Sequence, residues 1–170
     1  MTARTGEPFD MDQAVSAVEA ALSASLPGSG PTADEGEPDT GAWTSTRGEG
    51  FLLFPLWESA ALTGVYGREW NDAEATAEAH LATVVRELDH RWGPHRTVTM
   101  GPALLGHPAS EPFRTLVAKD CNGDLAVWGP VPAAPGARWA AVSLNQSDGD
   151  APMILTALIT DRPLPDVPGL

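Results

Sequence analysis

Residues 114–160 read RTLVAKDCNGDLAVWGPVPAAPGARWAAVSLNQSDGDAPMILTALIT, and the reading of this stretch decides the fold. Asn122-Gly123 is a strong hairpin signal, because a type I′ turn needs φ > 0 at both central positions. With that turn in place Cys121 pairs with Asp124, Lys119 with Ala126 and Val117 with Trp128. A second pairing joins Arg138–Gln146 to Met153–Thr160 through the polar loop Ser147-Asp148-Gly149-Asp150. Two consecutive β-hairpins are therefore expected.

Neither hairpin has a cleanly polar face. Leu116, Ala118, Leu125 and Val127 share one face of the first, and Val117, Ala126 and Trp128 share the other. On the last strand Met153, Leu155, Ala157 and Ile159 alternate with Ile154, Thr156, Leu158 and Thr160. A sheet lying on a single core alternates apolar with polar residues. Here both faces need cover, from a second layer, a partner or a ligand.

Upstream of the hairpins, Ala77, Leu81, Val84, Leu88 and Trp92 form one stripe of a long helix, with Val85 at its margin. Asn71 and Glu74 have the spacing of a capping box, so the helix is expected from about Asp72 to Trp92. Gly93-Pro94 ends it. Glu87 and Arg91 are spaced for an i,i+4 pair. Arg96–Met100 reads as a strand, and Gly101–Glu111 as a loop with room for a helical turn. The apolar run Phe51–Trp57 reads as a buried strand that Pro55 pushes to an edge or ends, and residues 61–66 read as another short strand.

A first helix, capped by Asp10 or Asp12, carries Met11, Val15, Val18, Leu22 and Leu26 on one face before Pro27-Gly28 stops it. Residues 27–50 are acidic and rich in Gly and Pro, the composition of a mobile linker. Trp43 near its end is placed to dock it. The expected organisation is a helical segment at 1–26, a flexible linker at 27–50 and a globular domain at 51–165. The fold class is α+β: a mostly antiparallel sheet of four to six strands, one long helix packed on it, and an N-terminal helix that covers the other face or reaches a neighbouring subunit.

Composition narrows the function classes. The chain has 170 residues, 42% of them apolar, and a net charge of −13. Ten basic residues, only one of them lysine, cannot build the clustered positive surface that nucleic acid requires. Residues 1–50 carry nine acids against two bases, and residues 51–170 carry fourteen against eight. The single cysteine, Cys121, forms no intramolecular disulfide, which fits a reducing cytoplasm. No apolar signal core and no membrane-spanning run are evident.

No motif fixes a reaction. Asp89, His90 and His95 lie close together, but Asp89 and His90 diverge by about 100° on a helix and His95 lies beyond the Gly-Pro break. Asp120 and Asp124 raise the pKa of the Cys121 thiol and so weaken it as a nucleophile. Asp120-Asn122-Asp124 and Ser147–Asp150 lack the twelve-residue pattern of a calcium loop. Neither a cofactor nor a metal is expected. Trp128 shares a face with Lys119, as a cation–π pair or a binding surface would, unless the N-terminal helix covers it.

The expectation is a non-enzymatic cytoplasmic module that binds a protein partner or itself through an apolar sheet face with an acidic flank. The alternative is an enzyme or ligand-binding protein with a pocket between sheet and long helix, whose polar groups include Arg91, Arg138, Asn145 and Gln146. Candidate binding residues are thus Trp128, Lys119, Arg91, Arg138, Asn145 and Gln146.

Overall fold

A computed structural model describes residues 6, 8–36, 43–106, 108, 110–133 and 136–165. They form one antiparallel sheet of seven strands in the order β1-β2-β3-β7-β6-β5-β4. The strands are β1 (Ala33–Glu35), β2 (Ser45–Gly48), β3 (Phe51–Glu58), β4 (Arg96–Val98), β5 (Leu125–Val131), β6 (Arg138–Asn145) and β7 (Ile154–Thr160). The helices are α1 (Met11–Leu22), α2 (Gly67–Trp92), α3 (Gly101–Gly106) and α4 (Phe113–Ala118). The class is α+β, as expected, but the sheet has seven strands rather than four to six. Two of them, β1 and β2, come from residues 27–50, the stretch expected to be a mobile linker. Residues 37–42 of that stretch lie outside the described residues.

The second hairpin forms between the expected segments, with Trp139 opposite Thr160 and Asn145 opposite Ile154. Both of its faces are buried, by different layers. Met153, Leu155, Ala157 and Ile159 join α1 and α2 in one core. Leu158 joins Trp43, α3, α4 and Leu164 in a second core on the opposite face.

The first hairpin does not form. Phe113, Leu116 and Val117 also sit at i, i+3 and i+4, and the chain there is the helix α4. A short apolar run satisfies either period, and tertiary packing decides between them. α4 ends in a Schellman motif. Asp120 takes the left-handed conformation, with φ 56°. Asp120 N donates to the Val117 carbonyl at 3.2 Å and Cys121 N to that of Leu116 at 2.8 Å. Leu116 and Cys121 then meet in the second core. β5 pairs instead with β4, Arg96 opposite Val127. Gly123 serves close approach rather than a turn: a Cβ there would lie 2.1 Å from the Leu144 carbonyl oxygen.

Three further expectations are corrected. α2 starts at Gly67, and its N-cap, Tyr66, makes no side-chain cap. The Asn71–Glu74 box is unused because Trp70 anchors the preceding turn, its Nε1 donating to the Gly149 carbonyl at 3.0 Å. Residues 61–66 form no strand. Pro55 does not end β3: it pairs with Thr156 of β7 beside a bulge at Pro55/Trp57, while the β2 pairing covers only Phe51–Leu53, so Pro55 lies where the other side of β3 is open.

α1 begins at its Asp10 cap, whose carboxylate accepts from Gln13 N at 3.1 Å. It ends at Leu22, although Leu26 still packs on the same core. It does not cover the opposite face of the sheet: it lies beside α2, over β3, β7 and β6. Val15, Val18 and Leu22 are its buried anchors, each stabilising by roughly 1.5–3 kcal/mol. Trp43 docks as expected, 2% exposed, with its Nε1 donating to Thr46 Oγ1 at 2.9 Å.

Candidate binding groove and the Asp89 cluster

The six candidate residues do not converge on one site. Trp128 is 3% exposed under the C-terminal end of α2, so α2 rather than α1 covers it. Its ring meets Trp92 edge-on at 5.9 Å, and its Nε1 donates to Asp89 Oδ1 at 2.9 Å. Lys119 is not its neighbour, because residues 113–118 are helical. Lys119 instead forms an ion pair with Asp34, tying the end of α4 to β1. Arg91 bonds Glu19 at 2.6 Å and Glu87 at 2.9 Å, tying α2 to α1. Asn145 accepts from Gly123 N at 2.8 Å and donates to Ser143 Oγ at 2.9 Å. Gln146 Nε2 donates to the Ala151 carbonyl at 2.9 Å, bracing the β6–β7 loop. Arg138 opens β6 opposite Val131 and is buried, and its Nη1 has no partner among the described residues. Five of the six side chains thus have structural partners.

The acid–histidine cluster is real as a contact. The Asp89 carboxylate accepts from His95 N at 2.9 Å and lies 2.9 Å from His95 Nδ1. Burial pushes the carboxyl up, and the hydrogen bonds from His95 and Trp128 together outweigh it, holding Asp89 below the usual carboxylate range. An ionised Asp89 locks Trp128, His95 and the end of α2 together. A shallow cleft of about 370 Å³ adjoins it, lined by Trp92, Pro94, Trp128 and Pro130 with Arg91 and Arg96. His90, the other histidine of that stretch, is exposed and takes no part.

Burial, with Asp120 nearby, pushes the Cys121 thiol up to about 12, so it stays protonated at neutral pH. No group of three or more metal-ligating side chains occurs among the described residues. The void beside Cys121, Asn145 and Thr156 holds only about 20 Å³.

One opening is missed by sequence reasoning. A groove of about 610 Å³ runs between α1 and the sheet edge formed by β1, β2 and β3. Ser16, Ala17, Ala20 and Ala21 form the helix wall, Leu52 and Phe54 the apolar floor, and Glu35, Thr44, Ser45 and Arg47 the far side. The register explains the placement: Arg47 pairs with Leu52, and Ala33 with Arg47, which sets these positions side by side across the sheet. One signal was present in the sequence. Beside its apolar stripe, α1 carries small residues where a solvated helix usually carries charge.

Comparison with protein-family profiles, with curated protein sequences and with solved structures returns no match. Among the described residues, no helix is long and apolar enough to cross a membrane.

Proposed function

We propose that the protein is a non-enzymatic, cytoplasmic protein-binding module, and that the groove between α1 and the β1–β2–β3 edge receives the partner. The observation that carries this reading is the groove itself: an apolar floor of Leu52 and Phe54, a helix wall of small side chains and a charged far side. An apolar centre with a polar rim is the anatomy of a protein interface. The engagement of Asp89, Arg91, Lys119, Asn145 and Gln146 in structural contacts supports the same reading, since few polar groups are left to converge on a substrate.

The test is a photo-cross-linking amino acid at the exposed Ser16, in the full-length protein inside cells. A protein adduct is expected, and it should disappear when Ala20→Trp fills the groove. The cleft at Trp92 and Trp128 favours one second reading, a small-molecule site between the long helix and the sheet. Native mass spectrometry separates the two. A bound small molecule released by Trp128→Ala, with no protein adduct at Ser16, would replace the first reading with the second.

A further inference from the structure

We infer that Asn122 is a modification site that the fold keeps closed: Asn145 holds the backbone N–H that would attack it, and opening of the α4–β5 connection lets the Asn122 amide deamidate. The inference goes beyond the groove and does not depend on it.

The sequence supplies the chemistry. Of the three asparagines, Asn71, Asn122 and Asn145, only Asn122 precedes a glycine. Glycine has no Cβ to shield its nitrogen, and its backbone reaches conformations closed to other residues. In the reaction the Gly123 nitrogen attacks Asn122 Cγ. The N–Cγ bond forms, the Cγ–Nδ2 bond breaks, and ammonia leaves with the proton from Gly123. Water then opens the cyclic imide at either carbonyl. One product is aspartate, and the other is isoaspartate, with the main chain running through Cγ. Nothing is oxidised or reduced. Asn122 is exposed, so water reaches it.

The structure supplies the guard. Gly123 N donates to Asn145 Oδ1 at 2.8 Å, which keeps the proton on the attacking nitrogen and fixes that nitrogen against β6. Asn145 is itself held: it is buried, and its Nδ2 donates to Ser143 Oγ at 2.9 Å. Asn122 is tethered as well, its Nδ2 donating to the Gln146 carbonyl at 3.4 Å. The Gly123 backbone sits so close to the Leu144 carbonyl that even a methyl group would collide with it. Little space is left there for cyclisation.

The same closeness makes the change one-way. Aspartate at this position puts an oxygen where the amide donor faced the Gln146 carbonyl, and two acceptors then meet. Isoaspartate adds a carbon to the main chain where it seats on β6. Either product adds a negative charge to a chain already at −13. A connection that has opened for long enough to react therefore closes less well afterwards.

Peptide mapping by mass spectrometry follows the amide-to-acid exchange in the full-length protein, with Asn71 in α2 as an internal reference. Asn122 should react at least about tenfold more slowly in the folded protein than in the chain unfolded with guanidinium chloride. Asn145→Ala should speed the folded-state reaction about threefold or more. Asn145→Asp keeps an acceptor for Gly123 N and should restore the slow rate. Hydrogen exchange in the unaltered protein supplies a second measurement, in which the Gly123 amide should be protected. The deamidated fraction, separated by ion exchange, should denature at a lower temperature. Equal rates in the folded and unfolded chain, or an unprotected Gly123 amide, overturn the inference. Asn145→Ala without effect, or Asn145→Asp as fast as Asn145→Ala, removes Asn145 as the guard. An unchanged melting temperature of the deamidated fraction overturns the impaired closure.

Discussion

The two faces of the sheet are covered in different ways. On one, α1 and α2 lie side by side as long helices whose apolar stripes are visible at helical spacing. On the other, the cover is pieced together from Trp43, two six-residue helices and Leu164 near the end of the described chain. The first face draws its strength from repeated burial along rigid elements. The second depends on a few anchors and on tight local geometry. The lesson is that a two-sided sheet does not imply matching layers.

Truncations in the two cores are the most forceful way to break this contrast. Leu88, on α2, and Leu116, on α4, are both almost wholly buried. Leu88→Ala should cost about 3–5 kcal/mol, because a long helix pinned along its length cannot collapse into the cavity. Leu116→Ala should cost about 2–3 kcal/mol, because a short helix can shift to fill part of it. Urea denaturation measures both, and equal losses would erase the distinction.

Gly123→Ala sharpens the account of the second face. The methyl group would press on the Leu144 backbone, and a loss of about 1–3 kcal/mol in the denaturation free energy is expected. An unchanged midpoint would show that the α4–β5 connection yields freely. On the helical face Arg138→Met should instead raise stability, by up to about 1 kcal/mol, since it replaces a buried guanidinium with an unpartnered Nη1. A fall in melting temperature would reveal a partner for that cation.

The smallest effects are pH-linked and belong to the helical face. His80 stacks on Phe9 at 4.2 Å and meets Trp57 edge-on at 4.8 Å. Burial pushes its pKa down from the ordinary histidine value. The unfolded chain therefore takes up this proton first as pH falls, and stability declines from about pH 6.5 downward until the folded His80 also titrates. Asp89, whose pKa is also depressed, adds stability present above the ordinary carboxylate value and lost as pH falls through its folded value. Denaturation curves should show two acid steps. His80→Phe should abolish the upper one and leave the lower, and an upper step that survives would place it elsewhere.

Long, regular patterns were legible in the sequence. The β6–β7 hairpin, eight residues against seven, appears between the expected segments. The stripe Ala77, Val84, Leu88 is the buried face of α2. Short patterns were not. Phe113–Ala118 fits both periods, and β5 found its partner in β4 rather than next to it in the chain. β1 and β2 were hidden because Ala33–Glu35 is exposed and has no apolar alternation, its place being fixed by Asp34, which bonds Thr46 and Lys119. The candidate residues were picked for their chemistry, and most turned out to be fasteners between elements. The groove escaped notice because alanines and serines carry little chemical signal of their own.

The position of β7 sets the timetable of synthesis. The last strand among the described residues lies at the centre of the sheet, between β3 and β6, with Phe51 opposite Thr160. In a growing chain β1–β3 and β4–β6 are two blocks of strands, and no strand pairing joins them until β7 is added. Until then β3 and β6 each offer a bare edge, open to pairing with other chains. Closing contacts so far apart in sequence is slow. A nascent chain is therefore aggregation-prone until β7 is in place, and a product cut short before β7 keeps both edges open.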